Sequence, residues 1–307
     1  VLQRVFFVVC LIAGLGWPER SSGNADWKPV TSRELGLRAA DIGDPEADAA
    51  ILLKEGELDE TYSDGTNLKV YTRIKIFTER GRRWADVELP YRADQGRIVD
   101  VRARTVRPDG SFIEVAQRDI FDSVVMKTSH GNWRAKTFSM PGVERGSILE
   151  YRYRQVYPAG FKYFALDLQF DLFTRELLYR IKPPLSPRLD LRWVTFNAPD
   201  PTKFTPKWDG IYNVRATDIP PFRREPMMPP ERAIKVWGWL YYSNEFLVPP
   251  DQYWRNYSDR AGGRTEAETR PTRSVRRVVE GLNLGRELAQ RIATVYDYVR
   301  NEINNLG

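Results

Sequence analysis

Few residues here have types that could support covalent catalysis: one cysteine, Cys10, and one histidine, His130. A cysteine nucleophile needs a thiolate, made by an adjacent imidazole, and a third group to orient that base. Cys10 falls inside an apolar run that reads as a leader, so removal of the leader removes the only thiol. One cysteine and one histidine also cannot build a disulfide or a Cys/His zinc site. His130 lies in the loop-like stretch Ser129-His130-Gly131-Asn132. A serine hydrolase would want a G-x-S-x-G elbow beside such a histidine, and the chain has none. Residues 59–65 (DETYSDG) hint at a calcium loop, but the glycine comes one place late and Val70 occupies the position of the bidentate glutamate; a turn between strands is expected instead. Paired carboxylates for glycoside hydrolysis are a spatial arrangement, and most acids are solvated. No P-loop or G-x-G-x-x-G is present. No catalytic residue, cofactor or metal is therefore assigned.

Binding chemistry has one sequence candidate. In residues 234–242 (IKVWGWLYY), Trp237, Trp239 and Tyr241 share one face of a predicted strand. Such a stripe can stack on a sugar, although core or inter-domain packing is the commoner use. The formal net charge of +6 comes mainly from arginines interleaved with acids, as in Glu79-Arg80-Gly81-Arg82-Arg83. A nucleic-acid binder concentrates its cations on one face or arm, so nucleic acid is not expected as a partner.

The elements that would carry these residues are mostly strands. Residues 1–25 read as a signal peptide: Arg4 precedes the apolar run 5–17 (VFFVVCLIAGLGW), and Gly23-Asn24-Ala25 offers a cleavage site. The apolar run falls short of the roughly 20 residues that span a bilayer, so no stable span is expected after cleavage. Residues 26–45 predict a short helical entry, with Thr31 or Ser32 as N-cap and Glu34 in the first turn. Residues 68–78 (LKVYTRIKIFT) alternate, with Val70, Thr72, Ile74 and Ile76 facing one way and Tyr71, Arg73, Lys75 and Phe77 the other, the pattern of a half-buried strand. Further strands are expected over 98–106, 111–115, 137–140, 147–156, 162–173, 177–182, 189–196 and 210–216, with 137–140 and 147–156 joined through Gly and Pro turns. Residues 219–230 (IPPFRREPMMPP) form an extended connector, because proline removes backbone donors. A short helix is expected over 251–257, a polar Gly-containing break after it, then helices over 272–280 and 286–303; the last carries an apolar stripe of Leu288, Ile292, Val295, Val299 and Ile303. The fold class expected is mainly β, a large antiparallel sandwich followed by a small helical segment.

From about residue 45 to 225 the chain resembles the family called DUF3857, found ahead of transglutaminase-like domains in exported bacterial proteins. The resemblance rests on Asp48-Ala49-Ala50-Ile51-Leu52-Leu53, Asp64-Gly65, Ile74-Lys75-Ile76-Phe77-Thr78-Glu79-Arg80-Gly81 and Arg104-Thr105-Val106-Arg107-Pro108-Asp109-Gly110. It continues through Phe138-Ser139-Met140-Pro141-Gly142-Val143, Gly146-Ser147-Ile148-Leu149-Glu150-Tyr151 and Glu225-Pro226-Met227-Met228-Pro229-Pro230. Residues 292–303 (IATVYDYVRNEI) look like the opening helix of a transglutaminase-like domain. The resemblance implies an immunoglobulin-like accessory sandwich at 46–228, a Pro/aromatic connector at 229–250, and the start of a transglutaminase-like domain at 251–307, truncated before its catalytic core. It implies a periplasmic or envelope location and a non-catalytic role within a cysteine peptidase or amidase family. The alternative is a stand-alone module that binds an envelope protein, a peptide or a cell-wall glycan.

Overall fold

The computed structural model describes residues 27–62, 65–128, 131–159, 163–184, 190–243 and 249–303. The chain is mainly β with a helical C-terminal segment. It divides into two compact units, one ending at Tyr242 and one running from Ser243 onward. Among the described residues no helix is long and apolar enough to cross a membrane.

The first unit opens with a single helical turn, α1 (Ser32–Leu35). The Thr31 hydroxyl accepts from the Glu34 N–H and the Glu34 carboxylate accepts from the Thr31 N–H, which closes a capping box. The strands are β1 (Ala49–Asp59), β2 (Gly65–Ile76), β3 (Asp86–Arg92), β4 (Arg97–Val106), β5 (Phe112–Glu114), β6 (Phe121–Thr128) and β7 (Gly131–Ser139). They continue with β8 (Ile148–Pro158), β9 (Tyr163–Asp167), β10 (Thr174–Lys182), β11 (Asp190–Phe196), β12 (Lys207–Trp208), β13 (Tyr212–Ile219) and β14 (Trp237–Ser243). One eight-stranded sheet runs in the order β12-β13-β10-β1-β2-β8-β4-β5. Two three-stranded sheets run β11-β14-β9 and β3-β7-β6.

Alternation in β2 decides how these layers pack. Ile74 and Ile76 join Ile51, Val101 and Leu149 against Val87, Leu89 and Phe138 of the β3-β7-β6 sheet. Leu68 and Val70, on the same side of the same strand, join Leu58, Leu177 and Val214 against Phe164, Leu166 and Leu240 of the β11-β14-β9 sheet. The long sheet is thus covered on one face by two short ones. Each Leu or Ile so buried contributes about 1.5–3 kcal/mol.

Several expectations change in detail. The strands ending at Ser139 and beginning at Ile148 are not partners: β7 pairs with β3 and β6, whereas β8 lies between β2 and β4. The turn between them hands the chain from one layer to the next. Within the sandwich β1 and β10 pair in parallel, registered from Ile51↔Thr174 to Asp59↔Lys182. Residues 168–173 lie outside β9, with Leu168 and Leu172 buried. The polar side of β2 is not half-buried as alternation implies. Tyr71, Arg73 and Lys75 are buried too, because residues 27–37 cross that side of the sheet.

The second unit contains α2 (Pro250–Thr269), α3 (Arg273–Gly281) and α4 (Leu288–Glu302). The expected break after residue 257 is absent: α2 continues through Gly262 and Gly263, supported by Asp251–Arg255 and Glu266–Arg270 pairs one turn apart. Two interior glycines cost about 1 kcal/mol each, which raises the energy of the helix without ending it. The Leu288, Ile292, Val295, Val299 and Ile303 side chains are exposed, so the expected apolar stripe is present on α4.

Candidate binding site

The outer face of the eight-stranded sheet, opposite its two apolar clusters, carries the densest polar chemistry of the first unit. Pairing aligns Arg73 of β2 with Glu150 of β8, and Glu150 with Arg104 of β4. Glu150 is 0% exposed and sits between the two guanidiniums. Its Oε1 accepts from Arg73 Nε at 2.9 Å and its Oε2 from Arg104 Nε at 2.6 Å. The Tyr71 hydroxyl donates to the same carboxylate. Burial pushes the Tyr71 phenol well above its ordinary range, and the adjacent Glu150 charge pushes it further. A carboxylate this far from water is tolerated because each oxygen meets a charged or hydroxyl donor.

The N-terminal strap, residues 27–37, is latched to this network. Arg73 donates to the carbonyls of Lys28 at 2.7 Å and Pro29 at 3.2 Å and to the Glu34 carboxylate at 2.6 Å. Burial opposes ionisation of Glu34, but the Thr31 N–H and Arg73 outweigh it and hold the carboxyl below its ordinary range. Lys75, 1% exposed, donates to the Leu35 carbonyl at 2.6 Å and the Gly146 carbonyl at 2.5 Å. Burial pulls its pKa down to about 8. Gly146, at φ +90°, aims that second carbonyl through a turn that a side chain would strain. Trp27 lies over the guanidiniums of Arg104 (4.7 Å) and Arg152 (5.5 Å), and its indole N–H donates to Glu114 at 3.3 Å.

Beside the strap the face opens into a groove of about 1090 Å³. Two registered rows cross its floor. One runs Glu55–Tyr71–Arg152–Arg102, and the other Arg180–Glu57–Lys69–Arg154. The carboxylates are engaged: Glu55 with Lys28 (2.6 Å) and Arg180 (3.5 Å), Glu57 with Lys182 (3.1 Å) and Lys69 (3.2 Å), Asp100 with Arg154 (2.7 Å). Burial raises the Glu57 pKa less than its two lysines lower it. Sequence reading missed this groove. The available signal was charge at alternate positions of β1, β2 and β8, but register decides which of those charges meet.

The predicted aromatic stripe is on β14, facing away from the core. Trp237 stacks on Phe196 of β11 with centroids 4.3 Å apart and planes 11° from parallel, and Arg232 caps it at 4.8 Å. Trp239, 38% exposed, and Tyr241 lie 5.3 Å apart at a 41° tilt. Tyr163 of β9, 56% exposed, pairs with Tyr241 and extends the patch. The stripe and the groove are therefore carried on different sheets. Elsewhere, the Tyr242 hydroxyl donates to the buried Glu60 carboxyl, whose pKa burial pushes up to about 7. Cys10, His130 and the expected signal peptide over residues 1–25 lie outside the described residues. Among those described, no group of three or more metal-ligating side chains is placed to hold an ion.

Residues 65–223 match the family described as a domain of unknown function with solved structure, DUF3857. No curated protein matches the chain. Among solved structures, a candidate protease from Parabacteroides distasonis is similar in fold, with a TM-score of 0.52 at 15% identity. The match covers 64% of this chain and 40% of that protein. Leukotriene A4 hydrolase from Saccharomyces cerevisiae matches at a TM-score of 0.35 and 10% identity, over 64% of this chain and 29% of its own. An aminopeptidase N family protein from Idiomarina loihiensis matches at 0.28 and 10%, over 61% and 29%. The chain thus spans less than half the length of each of these proteins. With the family matched over more than half of its residues, including Arg73, Arg104 and Glu150 of the buried network, this chain belongs to the DUF3857 family.

Proposed function

We propose that this chain is the non-catalytic β-sandwich accessory module of an exported, transglutaminase-like cysteine peptidase or amidase, and that it holds a ligand for that enzyme. The carrying observation is the groove, where Glu55, Glu57 and Asp100 are each tied to at least one cation. Carboxylates neutralised this way make a fixed charged surface and poor proton-transfer groups. The fold likeness to a candidate protease of which the match spans 40% fits a module within a longer protein. The test is the coding sequence downstream of Gly307. A continuing or adjacent frame encoding Gly-x-Cys, followed by a histidine and an aspartate, is expected; coding without those motifs would overturn the reading.

The patch of exposed Trp239 and Tyr163 with half-buried Tyr241 favours a second reading, a stand-alone envelope module that stacks on a cell-wall glycan. On that reading Trp239→Ala abolishes retention on purified cell wall. Equal retention of both forms would remove it.

A further inference from the structure

We propose that the groove on the outer face of the eight-stranded sheet binds an extended acidic peptide, laid across the strands beside the strap. This deepens the accessory-module reading by naming the ligand class of its groove.

The strap supplies the first argument. It is a peptide already bound to this face, and it shows what the face recognises. Arg73 takes two consecutive main-chain carbonyls, Lys28 and Pro29, together with one carboxylate, Glu34. Arg104 and Arg152 receive the Trp27 ring. The groove continues from Lys28 over the next rows of the same strands, so a second segment there would meet the same arginine chemistry. Guanidiniums pair with carboxylates through two parallel hydrogen bonds, a fit that a peptide acid satisfies and a neutral backbone does not.

Charge supplies the second. Six cationic side chains line the groove against four carboxylates. Three of those acids are engaged by cations and Glu114 receives the Trp27 indole N–H. Arg102 is exposed and has no ion pair among the described residues. Arg102 lies at the β8–β4 end, opposite Arg152 in the register. One row away Arg73 and Arg104, on the strands either side of Glu150, hold its carboxylate between them, so this face already pairs guanidiniums with an acid.

Length supplies the third. The rows cross β10, β1, β2, β8 and β4. Four inter-strand spacings make roughly 19 Å, which an extended peptide covers in about six residues.

The experiment titrates the full chain with a dye-labelled hexapeptide of alternating glutamate and alanine, blocked at both ends. The same peptide with lysine for glutamate, a sulfated polysaccharide and a short oligodeoxynucleotide serve as comparisons. We expect binding of the glutamate peptide that weakens as salt rises, and none of the lysine peptide. Arg102→Ser and Arg154→Ser should each weaken binding about tenfold, while Trp239→Ala leaves it unchanged. Arg102 has no ion pair to lose, so its variant reports on binding without a folding penalty, and circular dichroism checks both. Equal affinity for the lysine peptide, tighter binding of the polysaccharide or oligonucleotide, indifference to Arg102→Ser, or no binding would each overturn the proposal. Those outcomes leave the accessory-module reading standing, since it falls on the downstream coding sequence alone.

Discussion

Glu150 shows at the residue scale how far local pattern and tertiary position can diverge. Its strand alternates, and an acid on the polar side of an alternating strand is ordinarily solvated. Here it is fully buried between Arg73 and Arg104. Glu150→Ala should therefore destabilise the first unit by about 3–5 kcal/mol, because two buried guanidiniums lose their counter-charge. Glu150→Gln should cost less, and urea denaturation separates the two. Glu60 gives the pH prediction. Its carboxyl is pushed from an ordinary 4.5 up to about 7 by burial, so the folded chain keeps a proton that the unfolded chain releases above pH 4.5. That contribution is fully present below pH 4.5 and is lost as pH rises through 7. Its size is on the order of 2–3 kcal/mol. Glu60→Gln should flatten the stability curve between those pH values, and parallel curves for both proteins would refute the assignment. Neither role is written in the sequence around the residue, because both depend on what covers it.

At the scale of elements, many strands were legible and their partners were not, while β1, β3 and β6 were not singled out. Alternation located β2 and β4 because period 2 is a property of the strand itself, and Gly and Pro turns bounded the segments of β8, β10 and β13. The separation of β7 from β8 into different sheets was invisible, since a Gly/Pro turn looks the same whether it closes a hairpin or passes between layers. The missed continuation of α2 has a similar cause. Its sequence lacks an apolar face to reveal it, and the Gly262-Gly263 pair weakens a helix without ending it. Thr31 at the start of α1 was readable, and its capping box makes a local prediction. Thr31→Ala should cost about 1 kcal/mol. Since the strap covers Arg73 and Lys75, the loss should also raise hydrogen exchange at residues 28–35 ahead of the rest of the unit. Uniform exchange across the unit would show that the strap is not a separate cooperative segment.

At the scale of the whole molecule, the two units differ in what they bury. The first encloses two large apolar clusters beneath one sheet, while the second leaves the apolar stripe of α4 in solvent. Replacing Ile292 and Val299 together by lysine should lower binding of a hydrophobic dye and leave the near-ultraviolet spectrum, dominated by first-unit tryptophans, unchanged. A changed spectrum would mean that the stripe is covered after all. The sequence by itself determined the strand-rich class, the single cysteine and histidine, the helical end and the apolar stripe, all of which follow from composition or from a repeat along one element. The aromatic stripe was likewise legible as three rings on one strand face, but its exposure and its Phe196 and Tyr163 neighbours were not. Only the tertiary structure decided that a strap buries the charged side of β2, that Glu150 meets two arginines, and that two rows of charges line one groove. Those facts depend on register between strands far apart in the chain, and a one-residue slip in register would turn every one of those side chains to the other face.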